Sequence, residues 1–134
     1  MLQEVVVRPE EHIQIGIVEA LSILTSRAEP GNRFLFFSIP NEGYLAAVGS
    51  KKPTSKDYAR LTIMRKMGLV KGAPDLLILH KGRAYCMEVK SEKGGQTKEQ
   101  WRFEMAATAA GVPYAVVKSV SDAVDMLQEW GIIE

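Results

Sequence analysis

One cysteine and two histidines are all that this 134-residue chain offers to soft-metal or disulfide chemistry. A lone Cys86 forms no internal disulfide, and with His12 and His80 it falls short of the four ligands of a structural zinc site. The expected setting is therefore reducing, with the fold held by its core. Apolar runs fall far short of a membrane span, and the first residues lack the basic-then-apolar pattern of a secretory leader. Internal repeats, low-complexity tracts and long linkers are absent too. These absences lead to the expectation of a cytoplasmic protein with no membrane partner.

What remains is an ordinary globular composition, 46% hydrophobic and 25% charged, in a length that suits one domain over 1–134. The net charge of +1 conceals a strong segregation. From Lys51 to Arg102 there are 13 Lys/Arg against 5 Asp/Glu, whereas the rest of the chain has 4 against 11. A basic central segment suggests a face for a polyanion, provided folding does not intermix the two parts.

Pro9-Glu10-Glu11 suits a helix start, where proline is tolerated and acids meet the dipole. Ile13, Ile17, Ala20, Leu21 and Leu24 then recur at helical spacing, predicting a helix over 10–26. Residues 34–39 read as a buried strand, and 43–53 as a loop. Thr54 and Asp57 open a second helix that runs through Met67 and stops at Gly68. Asp75 to His80 and Arg83 to Lys90 read as strands joined by the two-residue turn Lys81-Gly82. Thr97-Lys98-Glu99-Gln100 is a capping box opening a helix to Gly111. A strand over Tyr114 to Lys118 and a helix from a Ser121 cap to Gly131 complete an α/β sandwich around a mixed sheet.

The chemistry concentrates in the hairpin. Side chains alternate along a strand, so Glu88 and Lys90 share one face and Val89 takes the other. Asp75 lies six residues before the turn and Glu88 six after it, which sets the two carboxylates level at the end of the ribbon. Two carboxylates with a strand carbonyl make a hard oxygen set suited to Mg²⁺ or Mn²⁺. A nearby lysine can orient a water, or as the free amine deprotonate it, and as the ammonium stabilise charge on a phosphate. Acid-x-Lys tripeptides are common as surface ion pairs; Pro-Asp, an apolar strand, a turn and then Glu-x-Lys is a far rarer order.

Pro74-Asp75 followed by Glu88-Val89-Lys90 resembles the PD-(D/E)xK nuclease signature, and the wider pattern is similar to the VRR-NUC domain. The matching positions are Glu10 and Gln14, Ile39-Pro40-Asn41-Glu42, Gly68, Lys71 to Leu76, Glu88 to Lys90, Thr97 to Trp101, and Gly111. They extend from about residue 10 to 130. The resemblance implies a restriction-endonuclease-like α/β fold, a mixed central sheet flanked by helices. It implies a divalent metal on Asp75, Glu88 and the carbonyl of Val89, with Lys90 catalytic. Glu10 on the first helix, or its neighbour Glu11, and Gln100 would complete the site. It further implies a homodimer acting on DNA, Holliday junctions or other branches, in a bacterial or phage-infected cell, with no organic cofactor. The departure is Gly43-Tyr44, where an arginine is expected; this bears on substrate contacts, not on the metal set.

Lys51, Lys52, Lys56, Arg60, Arg65, Lys66 and Lys71 face Asp57 as the only acid in their stretch, which makes them candidate phosphate contacts; Lys93 and Lys98 are weaker ones. Gly49-Ser50-Lys51-Lys52 lacks the ending of a phosphate-binding loop. His12 and His80 have no partner at ligand spacing, and Cys86, Tyr85, Met87, Trp101, Met64 and Met67 read as core. Nothing resembles a base-reading helix, so affinity from phosphates with little sequence readout is expected. The rival reading is a DNA-binding module that keeps the fold without cutting.

Overall fold

The computed structural model describes residues 5–40 and 54–134. Four strands form one sheet in the order β1 (Leu35–Ser38), β2 (Leu76–His80), β3 (Arg83–Val89), β4 (Tyr114–Val117). The first three pair antiparallel and β3 pairs parallel with β4, giving the expected mixed sheet. The described helices are α1 (Pro9–Arg27), α2 (Ser55–Lys66), α3 (Lys98–Ala109) and α4 (Val120–Glu129).

The core lies on one face. Leu76 and Ile78 of β2, Tyr85, Met87 and Val89 of β3, and Ala115 and Val117 of β4 pack against Ile17 and Leu21 of α1 and Ala123 and Leu127 of α4. Alternation sends Glu88 and Cys86 to the opposite face, on the side of α3. This two-sided coverage is why β3 is buried along its last five positions.

The hairpin forms as its turn residues require. Lys81 and Gly82 both take positive φ, 48° and 78°, the pair of left-handed residues that a tight twisted hairpin turn uses. Leu76 then faces Met87 and His80 faces Arg83. Continuing that register by one pair sets Asp75 opposite Glu88, as the residue count implied. The Asp75 carbonyl also accepts Ile39 N–H at 3.1 Å, which ties the end of β2 to the chain leaving β1.

Three local readings are corrected. The strand read as buried over 34–39 is an edge strand, with Leu35 61% and Phe37 44% exposed and Phe34 alone fully buried. A short apolar run carries no information about how many neighbours its strand has. The last helix is capped by Ser119, whose Oγ accepts Asp122 N–H at 3.0 Å, two residues before the expected Ser121. Trp101 and Met67, read as core, are 53% and 78% exposed.

Candidate active site

Asp75 stands between Pro74 and β2, and its Oδ2 accepts the Val89 N–H at 2.7 Å. That bond locks the carboxylate across the mouth of the hairpin, beside the Val89 peptide. Glu88 is 2% exposed and Lys90 7%, so an acid and an ammonium group are both withdrawn from water at the same sheet end. Burial is the main cause that lifts the Glu88 carboxyl to about 9; a hydrogen bond to Asp75 and the charge of Asp75 raise it further, while Lys90 and Tyr114 lower it. The proposed trio thus does converge, and its members act on each other.

Gln100 joins them from α3. Its Nε2 donates to Glu88 Oε1 at 3.0 Å, while its Oε1 accepts Thr97 N–H at 2.9 Å. Thr97 Oγ1 in turn accepts Gln100 N–H at 3.2 Å. One amide therefore closes the capping box and holds the buried acid; helix cap and site residue are the same group.

Glu10 and Glu11 are placed differently. Glu11 Oε1 accepts Arg8 N–H at 3.0 Å and pairs with Arg8 Nε at 3.2 Å, closing the first turn of α1. Glu10 instead extends toward the loop after β3, its Oε1 3.5 Å from Ser91 N and 3.2 Å from where a side chain on Gly94 would begin.

A close approach sets the distance between Asp75 and α3. Gly72 has φ 86°, and a Cβ there would overlap the Glu99 carbonyl and stand 2.7 Å from Gln100 N. The Lys71-Gly72 turn thereby seats directly on the first turn of α3. Lys71 Nζ pairs with Glu99 Oε1 at 3.6 Å across the same junction.

Tyr114 belongs to the site although sequence reasoning placed it only as the start of a strand. Its hydroxyl donates to Glu88 Oε2 at 3.4 Å, and its ring packs against Phe103 with centroids 6.4 Å apart. Burial, then the Glu88 charge, pushes its phenol above the usual range. The signal was the parallel register: Tyr114 pairs with Cys86, two residues before Glu88 on the same face.

Of the proposed DNA contacts, Lys56, Arg60, Lys71 and Lys93 are exposed. Lys51, Lys52 and the Asn41 to Tyr44 segment lie outside the described residues. His80 is buried in the strand away from Asp75, with no hydrogen-bond partner for Nε2 among the described residues. Cys86 is buried, and desolvation raises its thiol to about 11, which leaves it unreactive.

The donor set fits a hard divalent cation. No group of three or more His, Cys, Asp or Glu is poised for a metal among the described residues. What the site holds is a buried carboxyl group, Glu88, in contact with the half-buried carboxyl of Asp75. A cation relieves that repulsion, and Mg²⁺ in particular binds through one or two carboxylates while retaining waters.

The sequence matches no protein-family model and no curated protein. A solved structure described as a "VRR_NUC domain" is similar, at TM-score 0.55 and 23% identity, over 90% of this chain and 95% of that one. This chain has the VRR-NUC fold. Among the described residues, the mixed four-stranded sheet flanked by helices is the architecture the two share. In this fold Asp75, Glu88 and Lys90 come together at the open end of the hairpin. No described helix is long and apolar enough to cross a membrane.

Proposed function

We propose that this chain is a divalent-metal-dependent endodeoxyribonuclease, a phosphodiester hydrolase folded as one domain over 1–134. The observation that carries the reading is half-buried Asp75 set against the buried Glu88 carboxyl, beside buried Lys90, in a chain with the VRR-NUC fold. Asp75, Glu88 and the Val89 carbonyl would hold Mg²⁺ or Mn²⁺. The bound cation supplies charge to offset the phosphate and to make a water more acidic.

Each side chain then has a defined task. Asp75, held by Val89 N–H, presents its second oxygen from a fixed direction. Gln100 and Tyr114 hold the two oxygens of Glu88. Lys90 orients or deprotonates the attacking water and stabilises charge as the P–O bond breaks. Glu10 reaches the same corner from α1 and completes the polar wall.

The basic face of α2 and its flanks, Lys51, Lys52, Lys56, Arg60 and Lys71, with Lys93 beyond β3, binds the DNA backbone. Phosphate contacts of this kind give affinity that falls steeply with salt and little base preference. The substrate is branched DNA, a Holliday junction or a flap, and the active form is a homodimer in the cytoplasm of a bacterium or phage-infected cell.

The test incubates labelled four-way, flap, single-stranded and duplex DNA with Mg²⁺ or Mn²⁺, comparing wild type with Lys90→Ala. Cleavage by wild type that Lys90→Ala abolishes is the expected result. Cleavage at full rate in Lys90→Ala would place the chemistry elsewhere. DNA binding without cleavage under every metal would leave the non-cutting module.

A further inference from the structure

Beside the carboxyl pair the protein has an apolar cavity of about 430 Å³, open to the surface. Ile39, Met64, Met67, Leu69, Val70 and Phe103 form most of its wall among the described residues, and none of the described lining residues carries a polar side-chain group. The volume falls in the range of small-molecule pockets. Its position is specific. Ala73, two residues before Asp75, is part of the lining, and Phe103 is one helical turn beyond Gln100. The Phe103 ring also packs on Tyr114, whose hydroxyl touches Glu88. Two rings, Phe103 and Tyr114, separate a group in this cavity from Glu88, the proposed metal ligand.

We propose that the cavity receives an unstacked nucleobase from the DNA strand presented to Asp75 and Glu88. The proposal rests on the nuclease reading above and adds the feature of DNA that the protein recognises. Two observations choose a base over another apolar occupant. The first is charge: Lys56 and Arg60 stand two turns and one turn before Met64 on the same face of α2, and Lys71 lies on the turn that leads out of the cavity. A basic row that ends in an apolar hole matches a phosphate backbone carrying a flat apolar group. The second is the wall itself, which among the described residues has an aromatic ring and thioethers and no hydrogen-bonding side chain. Such a wall accepts any base by its face and reads none by its edge.

The consequence is structure selectivity without sequence selectivity. In a continuous duplex the bases are stacked and cannot enter; at a flap, fork or junction a base is already free, so the cost of extrusion is absent. The apolar cavity thus discriminates branched or single-stranded DNA from duplex, while the lysines bind every form alike.

The experiment measures binding, in Ca²⁺, of a flap DNA carrying a normal base at the first unpaired position and of the same flap with an abasic site there. Wild type is expected to bind the base-bearing flap on the order of tenfold more tightly, the scale of one base stacked on a protein surface. Met67→Ser/Val70→Ser alters side chains that are 78% and 51% exposed, so the fold survives it. That variant is expected to bind both flaps as weakly as wild type binds the abasic one. Equal binding of the two flaps by wild type overturns the proposal and leaves the nuclease reading standing. A base effect that persists in the variant overturns it as well, because the base then sits elsewhere. If the variant changes the oligomeric state in place of the base effect, the cavity is a contact between copies and the proposal fails. Absence of DNA binding in every arm removes both the proposal and the nuclease reading.

Discussion

Gln100 binds the buried Glu88 carboxyl through its Nε2 at 3.0 Å and caps its own helix through its Oε1. The stability of the α3 start and the orientation of the buried acid therefore depend on one amide. Substitutions can separate the two roles. Thr97→Ala removes a cap acceptor alone and is expected to cost about 1 kcal/mol of stability with little change in cleavage per folded molecule. Gln100→Ala removes both bonds; a similar stability loss accompanied by a 10- to 100-fold drop in metal affinity or cleavage is expected. Denaturant melts and cleavage rates on the same preparations distinguish these outcomes.

Glu88 gives the metal-free protein a characteristic pH dependence. Its carboxyl is raised to about 9 in the folded chain, against 4.5 for the ordinary group. Between those values the folded state holds a proton that the unfolded state has released, so stability falls as pH rises, and the loss is complete above about 9. Glu88→Gln cannot release a proton there. It is expected to flatten the profile and to raise metal-free stability at the alkaline end by on the order of 1–2 kcal/mol, while abolishing cleavage. Saturating Mn²⁺ is expected to oppose the decline in wild type, since a cation favours the deprotonated acid. Urea midpoints across pH, with and without metal, measure both effects.

The Gly72 turn is a spacing device. Gly72→Ala requires a Cβ that overlaps the Glu99 carbonyl and stands 2.7 Å from Gln100 N, at a φ of 86°. A loss of more than about 2 kcal/mol is expected from overlap plus left-handed strain. Gly82→Ala has a comparable φ of 78° with nothing within 4 Å, so strain alone, about 1–2 kcal/mol, is expected. Thermal melts rank the pair, and a smaller loss at Gly72 would mean that the turn is not packed on α3.

Tyr114→Phe removes a hydroxyl that sits 3.4 Å from Glu88 Oε2 and leaves the ring against Phe103. The bond is long, so the stability change is expected to stay below about 1 kcal/mol. The expected effect is a fall in Mn²⁺ affinity of up to roughly tenfold, the lower end for a residue that orients a ligand. Calorimetric titration of the variant provides the measurement.

Much of this arrangement was legible in the residues because local rules set it. Lys81-Gly82 determines the hairpin, the hairpin determines the register, and the register alone places Asp75 level with Glu88. Thr97 to Gln100 announces its own cap. Features that depend on which elements become neighbours stayed hidden. Tyr114 meets Glu88 only because β4 aligns parallel to β3, a pairing between segments separated by the whole of α3. Phe34 to Phe37 looked like interior sequence, yet among the described residues its strand has a partner on one side alone. The resemblance called for one glutamate on the first helix, Glu10 or its neighbour Glu11; the Arg8 contacts of Glu11 and the Ser91 contact of Glu10 place them differently.

The central claim is that Asp75 and Glu88 together form a binding site for a hard cation. Isothermal titration of Mn²⁺ into wild type and into Asp75→Ala/Glu88→Ala examines it without reference to any DNA. The expected result is saturable binding by wild type and none by the double variant, with both proteins folded by circular dichroism. Equal binding by the two proteins, or no binding by wild type, would contradict the claim.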